Sequence, residues 1–379
     1  VAPPAAACGM SSETIEHIVD EVCSRAAGIP GAVAEVVADE LDRLAPLASP
    51  AERSAVIDRA VARLDGLDVI DQVVRDAAVD EVMVNGGREV WVDRGGSLTR
   101  LVDLQPGAVD VVLERVLAPL GKRLDRTHPI VDARLPDGAR LCAIVEPVAI
   151  DGTTMSIRRH RRRRVPLDSF ASPDVVALLR DLVVRRTNVL ITGATSSGKT
   201  TALAAMTDAV GEGERLVLIE DTSELALDPR HHVVRLEART AGVDGVAAVD
   251  LARLVRTALR LRPDRLVVGE FRGPEVLAVV EALNTGHDGS LSTCHANSAV
   301  DGLRRVETLV MQAAPSWPLA AIRRQVSRSI DIVVHLVRDA DGTRRVAEIA
   351  QVVEGDREPA VKPIADAGRV VGTMTRGRR

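Results

Sequence analysis

At 379 residues, with 46% hydrophobic and 27% charged side chains, the chain is long for one domain and apolar enough to bury two or three cores. Charged residues interrupt every hydrophobic stretch, so no run reaches the eighteen or so apolar residues of a membrane-spanning helix. A net charge of -5, aromatic residues limited to Trp91, Trp317, Phe170 and Phe271, and the absence of tyrosine argue against a protein that grips nucleic acid by general electrostatics or by stacking bases.

The start, "VAPPAAACGM", has neither a basic n-region nor an adequate apolar h-region, which argues against a secretory signal and for a cytoplasmic chain with a loose beginning. Cys8, Cys23, Cys142 and Cys294 show no C-x-x-C spacing, against both a disulfide framework and a four-cysteine zinc module. From about Ser11 to Leu64 apolar residues recur at helical spacing, broken at "GIPG" and "SPAE", so residues 1–65 are expected to be a helical leader without chemistry. From Asp80 the period changes. The run "EVMVNGGREVWVDRGGSLTRLV" places two tight glycine turns between short β-rich segments, a meander. A helix over Val109 to Leu120, a hairpin at "LPDG" and a strand ending at "MSIRRHRRRR" complete a small α+β domain over residues 66–164, ending in an arginine-rich linker.

Ser172-Pro173-Asp174 marks a helix start, with a capping serine, a proline where no N–H is needed and an acid at the positive end. Beyond it the strand-like runs "NVLIT", "RLVLIE", "HVVRLE", "RLVVGE" and "GSLSTCH" alternate with helical segments. That alternation predicts an α/β fold, a parallel sheet with covering helices over residues 165–355, and a ligand site at the carboxyl ends of the strands. Residues 356–379 are expected to be a loosely ordered tail.

"GATSSGKTT" follows the strand "NVLIT" and opens a helix, the context that G-x-x-x-x-G-K-[ST] requires. Gly193, Ala194, Thr195, Ser196, Ser197 and Gly198 would turn successive amides toward phosphate oxygens, and the helix N-terminus adds its positive end. Lys199 would reach the β and γ phosphates of ATP, and the Thr200 hydroxyl, next to Thr201, is placed to ligate Mg2+. Only three lysines occur, Lys122, Lys199 and Lys362, among 49 lysines and arginines, so a lysine at this position has a reason. The strand "DRLVVGE" ends in Glu270, a Walker B arrangement and the candidate for polarising water. The strand "RLVLIE" ends in Glu220-Asp221, which would bring further carboxylates near the metal through water.

"GHDGSLSTCHANS" holds His287 and His295. Cys294 and His295 alternate to opposite faces of a strand, which disfavours zinc, and no G-x-S-x-G supplies a hydrolase nucleophile. A polar loop and histidine at the γ-phosphate end of the pocket remain, suited to sensing the state of the nucleotide.

Together "GATSSGKTT", "LIEDTSEL", "LRLRPDRLVVGEFRGPE" and "NTGHDGSLSTCHANS" resemble, in order, the Walker A, Asp box, Walker B and His box of the type II/IV secretion ATPases, most closely the branch serving tight-adherence (Flp) pili. "EVMVNGGREVWVDRGG" and "PIVDARLPDGARLCAIVEPVAIDGTTMSIRRH" look like that branch's N-terminal domain, so the resemblance covers about residues 66 to 350. It implies a RecA-like P-loop NTPase domain behind a small N-terminal domain, a homo-hexameric ring, ATP and Mg2+ as ligands, and motion transmitted to an inner-membrane pilus or secretion platform protein, with peripheral association at that membrane. It also implies that Arg158 and Arg159 offer positive charge to nucleotide from the small domain. Arg161 to Arg164 are left as linker or platform contacts, and Arg272 is a further active-site candidate. The four-cysteine insertion and the retraction signature of some relatives are absent, so neither zinc nor a retraction role is expected. Two other readings compete with the motor: a nucleic-acid translocase or conjugation-type ATPase on the same fold, and a nucleotide-gated scaffold with little turnover.

Overall fold

The computed structural model describes residues 10–29, 31–159, 164–239, 247–355 and 358–375. The chain divides into two compact units at the arginine run, between Arg161 and Arg162.

The first unit begins with three helices, α1 (Ser12–Ala26), α2 (Val33–Leu44) and α3 (Pro50–Asp65). Ser11 accepts the Thr14 N–H at the start of α1, and Ser49 with Glu52 forms a reciprocal capping box ahead of Pro50, so local sequence fixes where two of the helices begin. Val19, Val22, Val37, Leu41, Val56 and Ala60 are all fully buried in one shared cluster. The expected leader is therefore a three-helix bundle with its own core, which supplies the stability that isolated helices of this length lack.

After α4 (Asp71–Arg75) come β1 (Glu81–Asn85), β2 (Glu89–Arg94), β3 (Ser97–Asp103), α5 (Ala108–Leu117), β4 (Ile130–Arg134), β5 (Arg140–Ile144) and β6 (Thr154–Arg158). The strands form one antiparallel sheet in the order β3-β2-β1-β6-β5-β4. Alternate residues Val82, Val84, Val90, Val92, Leu141, Ala143, Met155 and Ile157 are buried in one cluster with Val109, Val112, Leu113 and Leu117 of α5. One face is covered and the other is not, which is the pattern that period-2 alternation produces.

The second unit carries α6 (Pro173–Val184), β7 (Val189–Gly193), α7 (Lys199–Thr207), β8 (Arg215–Glu220), β9 (His232–Glu237), α8 (Leu251–Ala258), β10 (Arg265–Phe271), α9 (Glu275–Leu283), β11 (Leu291–His295), α10 (Ala299–Ala313), α11 (Leu319–Ser329), β12 (Ile332–Arg338), β13 (Arg344–Val353), β14 (Ala360–Asp366) and β15 (Arg369–Val370). Its nine strands run β15-β14-β13-β12-β7-β11-β10-β8-β9. From β12 to β9 every pair is parallel, and β13 to β15 add antiparallel at one edge. β7, near the centre, is buried at all five positions, as a strand covered on both faces must be. Ile191, Leu179, Leu203, Met206 and Leu218 pack on one side; Leu190, Val217, Ile219, Val279, Leu303 and Ile322 pack on the other. Each such leucine or isoleucine contributes about 1.5–3 kcal/mol through burial.

Two expectations are corrected in this unit. Over the described residues 358–375 the tail is not loose: β14 pairs with β13 and buries Ile364 and Ala365, although Lys362 and Pro363 break the apolar run that would have announced a strand. Ser172 precedes α6 as expected, but its hydroxyl donates to the Gly368 carbonyl, 2.8 Å away, and makes no cap bond to the helix. That hydroxyl ties the start of the helix to the β14–β15 turn.

Candidate active site

β7 ends in Gly193, and the loop to α7 wraps back over the carboxyl edge of the sheet. Gly193 (φ 155°) and Gly198 (φ 93°) adopt backbone conformations open to glycine. A Cβ on Gly193 would stand 2.4 Å from Ser197 Oγ and 2.6 Å from the Leu336 carbonyl oxygen, so the close approach also demands glycine. Lys199 is 8% exposed, and its ammonium donates to the Gly193 and Ala194 carbonyls at 3.0 Å each. Burial lowers its pKa, while the Glu270 carboxylate favours the charged form. The Ser197 hydroxyl oxygen is buried without a hydrogen-bond partner among the described residues. Ala194, Thr195 and Ser196 are exposed, and Thr200 and Thr201 partly so. A glycine-shaped cradle, an ammonium satisfied only by its own loop and an orphan hydroxyl at a helix N-terminus fit a polyphosphate, with Thr200 placed to hold a magnesium ion bound to it.

The acids arrive on neighbouring strands. β10 carries one residue more than β11 between the pairs Val268–Ser292 and Phe271–Cys294, a bulge at Gly269–Glu270 that turns Glu270 out of the pleat. Thr293 of β11 anchors it, donating to the Gly269 carbonyl at 2.6 Å. Glu270 is half-buried and accepts from Nε and Nη2 of Arg272 at 2.9 and 2.6 Å. β10, β11 and β7 run parallel, so Glu270 ends at the same carboxyl edge as the phosphate loop, and its charge favours the ammonium form of Lys199.

Glu220 at the end of β8 is buried. Its Oε1 accepts the N–H groups of Glu224 and Leu225 at 3.0 and 2.9 Å, so this carboxylate shapes the loop after β8. Burial pushes its pKa up against those two bonds. Asp221 beside it is exposed.

His295 pairs in register with Gly193 and is exposed, whereas Cys294 before it is buried; the two face opposite sides of β11, as alternation required. The second histidine requires a correction. His287 lies in the segment that enters β11, with Nδ1 3.2 Å from the Ala282 carbonyl and its own carbonyl accepting from the Ser290 hydroxyl. In a parallel sheet this is the amino end, a strand's length away from the phosphate loop, so His287 is not at the γ-phosphate end of its own chain's pocket.

Arg158 closes β6, in register with Glu81 and Arg140. Arg159 donates its N–H to the Asp80 carbonyl. Both belong to the first unit. Arg161, Arg162 and Arg163 lie outside the described residues. Arg164 belongs to the second unit and pairs with Asp208 and Asp228 at 3.0 and 2.8 Å.

Three contributors escaped the sequence reading. His335 of β12 lies 3.0 Å from the Thr192 hydroxyl, next to Gly193. Phe170 and Arg344 flank Gly198. Phe170 could have been found as one of only two phenylalanines; nothing in local spacing marks the others.

These features define a P-loop protein of RecA-like α/β architecture. Residues 63–377 match the sequence model of a family described as "Type II/IV secretion system protein", and the chain belongs to that family of secretion ATPases. "Putative conjugal transfer protein Rv3659c" of Mycobacterium tuberculosis (strain ATCC 25618 / H37Rv) is 40% identical over 301 residues, 76% of this chain and 84% of that one. "Type IV secretion system protein PtlH" of Bordetella pertussis is 33% identical over 306 residues, 72% and 89% of the two chains. Among solved structures, the Legionella pneumophila ATPase DotB aligns at TM-score 0.52 with 20% identity, over 75% of this chain and 79% of that one. The pilus retraction motor PilT with bound ADP aligns at 0.54 with 20% identity, over 74% and 81%. These two establish the fold.

Proposed function

We propose that the protein is a motor that hydrolyses ATP, works as a homo-hexamer and powers Flp-type pilus assembly or type II/IV secretion through an inner-membrane platform protein. The observation that carries the reading is the bulged acid Glu270, at the same carboxyl edge of the parallel sheet as the phosphate loop, whose charge favours the ammonium form of Lys199. In this reading the loop amides and Lys199 hold the triphosphate and draw charge from its γ-oxygens. Glu270, released from Arg272, orients the attacking water and takes its proton. Thr200 would hold a magnesium ion through its hydroxyl, with Glu220, Asp221 and Glu270 reaching it through water, and the ion would supply positive charge to the phosphates. His295, beside Gly193, responds to the presence of the γ-phosphate. Arg158 and Arg159 supply positive charge to the nucleotide, which couples hydrolysis to movement of the small domain.

The test compares ATP binding and turnover in Lys199→Ala and Glu270→Gln. Glu270→Gln should bind ATP within a few-fold of wild type and turn it over about 10²–10⁴-fold more slowly, whereas Lys199→Ala should lose more than about tenfold in affinity. A wild type no faster than Glu270→Gln would leave a nucleotide-gated scaffold and sink the motor. Relatives bearing conjugal transfer names support a second reading, a conjugation-type ATPase. Turnover stimulated by DNA and not by a platform protein would select it, against the expectation drawn from the acidic balance and the scarcity of aromatic residues.

A further inference from the structure

Arg344, the first residue of β13, stands 148 positions along the chain from Ser196, yet its Nε donates to the Ser196 carbonyl at 3.1 Å. Its stem also closes one side of the loop: a Cβ on Gly198 would stand 2.9 Å from Arg344 Cδ and 3.1 Å from Phe170 Cε1. Ser196 is a non-glycine residue at φ 62°, a strained conformation that persists only where the surroundings hold it. Across the hairpin, Arg338 of β12 is the register partner of Arg344. Neither has a carboxylate partner among the described residues, while the adjacent Arg345 pairs with Asp339. An arginine kept opposite another arginine, without a carboxylate, is held there for something else.

We infer that Arg344 is a positioning residue for the phosphate loop: its Nε–H fixes the Ser196 carbonyl from the side opposite the phosphate-facing amides, and so preserves the curvature a nucleoside diphosphate requires. The inference rests on the nucleotide reading above. The donor at Nε, not the guanidinium charge, is the operative part. Two substitutions separate them. Glutamine places an amide nitrogen at the position of the arginine Nε and carries no charge; lysine keeps the charge and places a methylene there.

The test titrates the full chain with a fluorescent ADP analogue and records its thermal melting. Arg344→Gln should bind within about twofold of wild type and Arg344→Lys about 3–10-fold more weakly, the worth of one backbone hydrogen bond, with melting unchanged in both because the side chain is exposed. The reverse order would transfer the role to charge and overturn the inference. Equal affinities in all three proteins, or equal losses in both variants, would overturn it as well. Failure of the wild type itself to bind ADP would instead remove the nucleotide reading beneath it.

Discussion

Lys199 carries two opposing demands. It is nearly buried, which lowers its pKa below the usual lysine value, and Glu270 pulls back toward the charged form. Binding phosphate needs the ammonium, so nucleotide affinity should weaken as pH rises through the lowered pKa, before an ordinary lysine would titrate near 10.4. Stability of the unliganded chain should move the other way. The unfolded state holds this proton to higher pH than the folded state does, so the folded form gains as pH rises between the two values. Titrations with an ADP analogue and urea unfolding at several pH values up to about 10 check both signs, and affinity that stays flat up to the ordinary lysine value would contradict the account. The loop lysine and Glu270 were legible because their motifs are local. Arg344 was not, because its partner lies on the far side of a long sequence separation.

Elements set where those residues stand. β7 is flanked by β11 and β12, and its last turn is gripped by α10, where a Cβ on Gly302 would stand 2.4 Å from Thr192 Cγ2. Helix propensity alone predicts that Gly302→Ala would stabilise α10 by about 1 kcal/mol. Packing should reverse the sign, since Thr192 must rotate from His335 or the helix must shift, at a cost of about 1–3 kcal/mol. Urea unfolding decides it, and a more stable variant would show that α10 has room to move. The parallel core was legible for a simple reason: strands buried on both faces are continuous apolar runs, and capped helices alternate with them. The bulge at Glu270 and the strand at Ala360–Asp366 were not. A bulge is a register difference between two strands, and neither strand records it alone. Five of the seven residues of β14 are exposed or partly so, so its composition resembles a tail.

At the scale of the whole molecule, the division at the arginine run was visible as a charge block between two different periodicities, and the leader was visible as helices. That the leader forms a bundle with its own core was not, because helix patterns do not say which faces meet. The proposed ring has a measurable consequence. If Arg158 and Arg159 act on a neighbouring copy's nucleotide, turnover per chain should rise with protein concentration until rings are complete, and a mass measurement should rise with it; turnover per chain that is constant from the most dilute sample upward would remove the trans role.

β15 is only two residues long and ends the nine-stranded sheet beyond β14. So brief a border offers an incoming strand almost no ladder to extend. β15 itself, paired with β14 only at Ala365 and Asp366, therefore gives a second copy of this chain almost nothing to pair with.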